Sequence, residues 1–205
     1  MKRQRLTREQ SKDQTRERLL DAAQTIFMKK GFVAASVEDI AAAAGYTRGA
    51  FYSNFRSKSE LLIELLRRDH EAMQAGMQAI VENAASREQM EAGILRYYSS
   101  LPRENTCFLL WAEAKLLAVR DARFRLRFNA FMHEKLDQTG AYIREFSARV
   151  GTPMLMEPER LAIGLMGLCD GVQFFHTADP QNVPVELAEA VLASFFSRVV
   201  FGRDA

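Results

Sequence analysis

Apolar residues recur at three- and four-residue intervals along almost the whole chain, and nowhere do they alternate with polar ones between turn signals, so the pattern predicts an all-α fold. Leu19, Leu20, Ala23, Ile26 and Phe27 form one stripe and predict a first helix over 13–30. Lys29 and Lys30 suit its C-terminal dipole, Gly31 suits a left-handed cap, and Phe32 is expected to fold back as the accompanying contact. Ser36 then caps a short second helix, with Glu38 and Asp39 in its first turn and Val37, Ile40, Ala41 and Ala44 inward. Gly45 stops that helix and Thr47 caps a third. At Ser57 the run S-K-S-E has capping-box spacing and opens a long helix, whose stripe of Leu62, Leu66, Met73, Met77, Ile80 and Ala84 continues to about residue 84.

The second half follows the same rule. Ser86 caps a helix to about residue 100, Pro102 marks a new start, and a further helix runs through Trp111 to about residue 119. Residues 121–150 place Phe124, Phe128, Phe131, Met132, Leu136, Ile143 and Phe146 on one face, and the loop GTPMLMEP ends them. Two last helices, over 158–176 and 185–202, flank the turn TADPQNVP. That makes about nine helices. The last two are apolar nearly all round, which implies burial from two sides. They suit a four-helix interface with the same pair of a second subunit, so the chain is expected to be a homodimer joined through Gly164, Leu168, Val172, Val191, Leu192, Phe195 and Phe196, with Gly167 and Gly171 also permitting close approach.

Charge adds an asymmetry. Residues 1–58 hold 12 Lys and Arg against 6 Asp and Glu, whereas the rest holds 16 against 20, so the net +2 of the chain hides a basic head on an acidic body. A polyanion is the partner such a head suits; a solvated basic tail is the plainer reading. Cys107 and Cys169 lie far apart and without a C-x-x-C pair, which argues against a disulfide framework and against a metal site; they read as core thiols or, alternatively, as a redox-sensing pair. No run of about 20 apolar residues is present, and MKRQRLTREQ has no apolar segment behind its charges, so a cytoplasmic location without a membrane partner is expected.

The segment 45–58, GYTRGAFYSNFRSK, carries the candidate chemistry. SVEDIAAAA, GY and TRGAFYSNF read as helix, turn and helix. Phe51 and Phe55, four apart, point inward, leaving Arg48, Gly49, Tyr52 and Ser53 on the opposite face. Gly49 weakens a helix by about 1 kcal/mol relative to alanine, so it either permits close approach to a major groove or is merely tolerated in an early turn. Lys58 falls in the first turn of the next helix, where a cation is disfavoured unless a phosphate binds there; an exposed lysine also needs no such reason.

The block from Thr15 to Leu62, with its spacing S-V-E-D-I-A-x-x-A-G-Y-T-R-G-A-F-Y-S-N-F-R-S-K-S-E-L-L, resembles the DNA-binding head of the tetracycline-repressor (TetR/AcrR) family. The resemblance implies two domains, a helix-turn-helix head with a basic arm over 1–56 and a ligand-binding and dimerisation body over 57–205. It implies that Arg48 contacts bases, that Gly49 and Ala50 lie close to base edges, and that Tyr52, Asn54 and Lys58 meet phosphates, with Ser36 and Thr47 donating to phosphate from their caps. Lys2, Arg3, Arg5, Arg8 and Lys12 are arm cations that add unspecific affinity or remain disordered.

Two heads on a dimer would occupy a pseudo-palindromic double-stranded operator, with reading helices about 34 to 36 Å apart. The resemblance further implies a small-molecule pocket, with His70, Met73, Met77, Tyr97, Tyr98, Cys107, Phe108, Trp111, Phe128 and Phe131 as its candidate wall; plain core is the competing assignment for each. His70, Glu113 and Asp170 interrupt apolar runs and read as polar anchors or as satisfied interior groups. The functional expectation is a transcriptional repressor released by a small, largely apolar effector; the alternative is a DNA-bound interaction protein of the same fold controlled by a protein partner or by no ligand. Three scattered histidines, His70, His133 and His176, without a nucleophile motif or phosphate loop, predict neither enzyme nor cofactor.

Overall fold

The structure, a computed structural model, describes residues 7–151 and 156–201. Among these there is no strand; nine α-helices follow one another as α1 (Arg8–Ala34), α2 (Val37–Ala43), α3 (Arg48–Tyr52), α4 (Lys58–Asn83), α5 (Arg87–Glu104), α6 (Phe108–Arg120), α7 (Ala122–Val150), α8 (Pro158–Ala178) and α9 (Val185–Phe195). Packing divides the chain into two units. One takes the described residues up to Asp69 together with Leu109–Asn129, and the other takes His70–Phe108 and the described residues from Ala130 on. This division cuts α4 and α7 within their lengths, on a different line from the functional boundary at 56/57 expected from the resemblance.

In the first unit, α1 starts five residues before the expected 13. Thr7 Oγ1 accepts from the Gln10 N–H at 3.2 Å and Gln10 Oε1 accepts from the Thr7 N–H at 2.9 Å, a reciprocal cap that needs no apolar stripe beneath it. Lys2, Arg3 and Arg5 lie outside the described residues, while Arg8 and Lys12 are exposed on α1. Gly31 does not end the helix as a left-handed cap. It sits at φ 77°, ψ 159°, and α1 resumes beyond this break with Phe32 packed on Phe27 at 5.4 Å between ring centres. Arg68 of α4 ties back to α1 through Asp21 at 2.7 Å, Glu17 at 3.4 Å and Gln24 at 3.1 Å.

In the second unit, α5 packs against α9 and α8, and α8 against α9. Gly93 admits α4 closely, since a Cβ there would meet Ile80 Cγ2 at 2.6 Å. The expected helix start at Pro102 is corrected: α5 continues through it to Glu104. Proline's fixed φ suits a helix, and in this last turn it withdraws only the N–H that would have met the Tyr98 carbonyl. After Phe195 the chain widens into one π-helical turn, Phe196–Val200, closed by the Phe201 N–H on the Phe196 carbonyl at 3.3 Å. Two residues five apart stand about 140° apart on an α-helix; the wider π turn brings Phe196 and Phe201 to one buried face, stacked on Tyr98 at 4.1 Å and packed on Phe146 at 5.4 Å.

That turn corrects the interface assignment. Leu192 and Phe196 are buried in this unit's own core with Leu101, Leu161, Leu165 and Cys169, because α9 and the π turn after it pack on α5. The exposed apolar groups are instead Ile163, Phe174 and Phe175 of α8 and Leu187 and Phe195 of α9. Gly164 and Phe195 of the expected set are exposed, whereas Leu168, Val172 and Val191 are half-buried. Among the described residues α8 alone is long and apolar enough, at a mean hydropathy of 1.2, to cross a membrane. One face of α8 is packed on α5 and α9, and Gln173 is buried on α8, whereas Asp170 is half-buried.

Candidate nucleic-acid interface

The third helix is too short to be stable alone and is held by its surroundings. Thr47 Oγ1 accepts from the Ala50 N–H at 3.3 Å, and Phe51 and Phe55 are buried with ring centres 5.8 Å apart. The turn before it closes with the Tyr46 N–H on the Ala41 carbonyl at 2.8 Å, over Gly45 at φ 75°. α2, turn and α3 therefore form the helix-turn-helix expected from the pattern. Arg48, Gly49, Tyr52 and Ser53 are exposed and Ala50 is half-buried.

Arg48 Nη1 lies 2.9 Å from Glu38 Oε1, with both side chains more than half exposed. Such a surface pair is worth at most about 1 kcal/mol and opens readily for a stronger anion. Hydrogen bonding to Tyr52, and then the Glu38 charge, favour the charged guanidinium, which lies 5.5 Å from the Tyr52 ring centre. Ser53 Oγ donates to the Gly49 carbonyl at 3.0 Å. Among the described residues a Cβ on Gly49 would meet only Thr47 Oγ1, at an ordinary 3.6 Å, so none of them requires glycine there.

Ser36 and Asp39 cap α2 reciprocally, each bond being 3.0 Å, and Lys30 Nζ donates to Asp39 Oδ1 at 2.8 Å. The Lys30 hydrogen bond, then the Ser36 N–H, lower the Asp39 carboxyl to about 2. A carboxylate depressed in the folded state stabilises fully above its ordinary range, and this contribution is lost as the pH falls toward about 2. Ser36 and Thr47 spend an acceptor lone pair on their caps, which leaves each hydroxyl proton to donate.

Two expected phosphate ligands point elsewhere. Lys58 Nζ donates to the carbonyls of Phe32 at 2.6 Å, Val33 at 3.3 Å and Ala35 at 2.6 Å, which engages all three of its N–H bonds. Its place in a first turn thus answers to the open carbonyls at the end of α1. Asn54 Nδ2 donates to the Ala50 carbonyl at 2.8 Å, and its Oδ1 is buried with no hydrogen-bond partner among the described residues. Arg16, which no motif singled out, clasps the head. It donates to the Asn54 carbonyl at 3.2 Å, pairs with Glu64 at 2.8 Å and lies 4.4 Å over the Phe55 ring.

The family model of the bacterial regulatory proteins of the tetR family matches residues 19–65, from the buried stripe of α1 through α2 and α3 into α4. This match and the relatives it accompanies support a TetR-family transcriptional regulator. The HTH-type transcriptional repressor KstR2 of Rhodococcus jostii is 31% identical over 110 residues, 53% of this chain and 54% of that protein. The HTH-type transcriptional activator FasR of Mycolicibacterium smegmatis is 28% identical over 100 residues, 48% of this chain and 46% of that protein. The chain spans about half the length of these curated relatives it matches. A protein of Saccharomonospora viridis, crystallised in complex with choline, superposes with a TM-score of 0.71 over 90% of this chain and 96% of its own at 19% identity, which carries the shared fold beyond the head. The TetR family is one of regulators and not of enzymes, in agreement with the sequence.

The candidate pocket residues fall into both units: Trp111 and Phe128 in the first, and His70, Met73, Met77, Tyr97, Tyr98, Cys107, Phe108 and Phe131 in the second. Trp111 Nε1 donates to Asp69 Oδ2 at 2.7 Å, and Phe128 stacks on Phe124 at 5.6 Å. His70 is buried, with Nε2 2.9 Å from Gln138 Oε1, an oxygen that also accepts from Gln74. Tyr97 donates its hydroxyl to the Met73 carbonyl at 3.2 Å and stands edge-on to Tyr98. Cys107 and Cys169 are both buried, and burial pushes the Cys169 thiol up to about 12, away from the thiolate that redox chemistry uses.

Proposed function

We propose that this TetR-family chain is a DNA-binding transcriptional regulator whose head, residues 1–56, reads a pseudo-palindromic operator through α3, and whose body, residues 57–205, dimerises. The observation that carries this reading is the outward face of α3, where Arg48, Gly49, Tyr52 and Ser53 are exposed on a helix anchored by the buried rings Phe51 and Phe55. Arg48 leaves Glu38 for a base edge, Gly49 and Ala50 pass closest to the groove, and Tyr52, Ser36 and Thr47 supply phosphate contacts. The basic excess of residues 1–58 supports the same partner. Selection of an operator from a randomised duplex library tests it. Arg48→Ala is expected to lose about 10- to 100-fold in discrimination at its base position, and equal affinity of wild type and variant for every duplex would end the assignment.

Gly49 gives a sharper test. With open space around it, Gly49→Ala is expected to stabilise the head by up to about 1 kcal/mol in thermal melting while weakening operator binding. Unchanged operator affinity would mean that no surface comes close to that backbone.

The regulator acts as a repressor released by a small, largely apolar effector bound in the body. The relative of Saccharomonospora viridis, with its choline, makes quaternary ammonium compounds the first to try, and Tyr97 and Tyr98 are rings of the kind that take such cations. A thermal-shift series with choline and apolar amines is expected to raise the melting point by mass action and to release the operator. A series without any shift would favour control by a protein partner.

A further inference from the structure

The corner between α1 and α2 is held from two sides. Gly31 occupies a backbone region that L side chains do not hold. Behind it the Phe32 N–H donates to Glu113 Oε2 of α6 at 2.6 Å. A Cβ on Gly31 would lie 2.9 Å from Glu113 Oε1, so the carboxylate occupies the space that glycine leaves. On the other side Lys58 of α4 gathers the carbonyls of residues 32, 33 and 35 and lies 4.5 Å from the Phe32 ring centre. Burial disfavours the charged ammonium and the Glu113 charge partly restores it. The Ala35 N–H returns to the Gly31 carbonyl at 3.2 Å, closing the corner into a loop whose next residue, Ser36, is the cap of α2. Any rotation of residues 31–35 therefore carries α2 and α3 with it. α6 supplies the only side-chain acceptor described for this loop's N–H groups, and it does so across 81 residues of sequence.

We propose that Glu113 is a positioning residue for DNA recognition: by accepting the Phe32 N–H it fixes the α1–α2 corner and so the angle at which α3 is presented. This rests on the DNA-binding reading above. Glu113 touches no DNA; it acts through the backbone of the corner. Its place on α6, the helix by which the chain returns to the first unit after residue 108, makes it a point at which a shift of α6 alters the head without touching α3.

The test compares wild type, Glu113→Ala and Glu113→Gln, using an operator duplex selected by the wild type, at a temperature where melting shows all three folded. Glu113→Ala is expected to lose about tenfold in operator affinity and to speed amide exchange at Phe32 by about tenfold. Glu113→Gln keeps an acceptor oxygen and is expected to stay within about threefold of wild type on both measures. Faster exchange in Glu113→Ala with undiminished operator affinity would overturn the proposal, as would unchanged exchange. Equal losses in both variants would assign the effect to the charge felt by Lys58 and overturn the acceptor role. If the wild type enriches no duplex, the DNA-binding reading fails, and the exchange comparison alone decides whether Glu113 holds the corner.

Discussion

Gly31→Ala should lower stability by about 2 to 3 kcal/mol and the melting temperature by about 5 to 10 °C, the largest change expected from any single methyl group in the head. Two effects add. At φ 77°, ψ 159° an L residue is strained wherever it stands, and here the new Cβ also meets Glu113 Oε1 at 2.9 Å. The carboxylate can retreat only by giving up the Phe32 N–H, which would then be left in a half-dry corner. Removing the carboxylate in advance separates the two effects. In a Glu113→Ala background the steric part of Gly31→Ala disappears and the backbone part remains, so the double variant is expected to be more stable than the sum of the single losses predicts. Strict additivity in thermal or denaturant melting would mean that the two residues do not meet.

The second large effect is expected on assembly. Ile163, Phe174 and Phe175 of α8 are 59%, 59% and 68% exposed, and Gly164, Gly167 and Gly171 on the same helix have none of the described residues within 4 Å of where a Cβ would stand. A helix so apolar with so open a side calls for cover, and a second copy of the same face would provide it symmetrically. Phe175→Asp places a charge in the middle of that cover. Sedimentation at micromolar concentration is expected to give a wild-type dimer and a Phe175→Asp monomer. Operator affinity should fall by about 10²- to 10³-fold as two linked heads become one. Leu126→Asp, at a residue 77% exposed in the other unit, is the control and should leave the dimer intact. A wild-type monomer would remove the dimer, and a dimeric Phe175→Asp would move its interface off α8.

The sequence was most legible where the physics is local. Ser36, Thr47, Ser57 and Ser86 each cap the helix that follows, because a hydroxyl three residues before a bare N–H is a signal contained within four positions. Phe51 and Phe55 turned inward as their spacing required. The TetR-family resemblance of residues 15–62 rested on such local spacings and agrees with the family match over 19–65. What the sequence did not disclose depends on distance along the chain. Lys58 finds its carbonyls 23 to 26 residues away, and Glu113 finds Phe32 81 residues away, so one read as a phosphate ligand and the other as an ambiguous interior acid. Thr7 and Gln10 were overlooked for the opposite reason: their turn has no apolar stripe, and periodicity has nothing to detect in a helix that projects into solvent. In α9 apolar residues surround the axis, so no contrast marked Leu192 and Phe196 as inward, and the π turn that brings Phe196 and Phe201 to one side leaves no trace in composition.

The economy of α3 has a practical side. Two rings and one threonine hold a helix of five residues in place, while its outward positions Arg48, Gly49, Tyr52 and Ser53 have only small obligations to the rest of the molecule. These positions behave as a replaceable type-face on a fixed press. A library varying them while keeping Thr47, Phe51 and Phe55 should yield folded proteins at high frequency, each offering a different lettering to the groove, with the body left as it is.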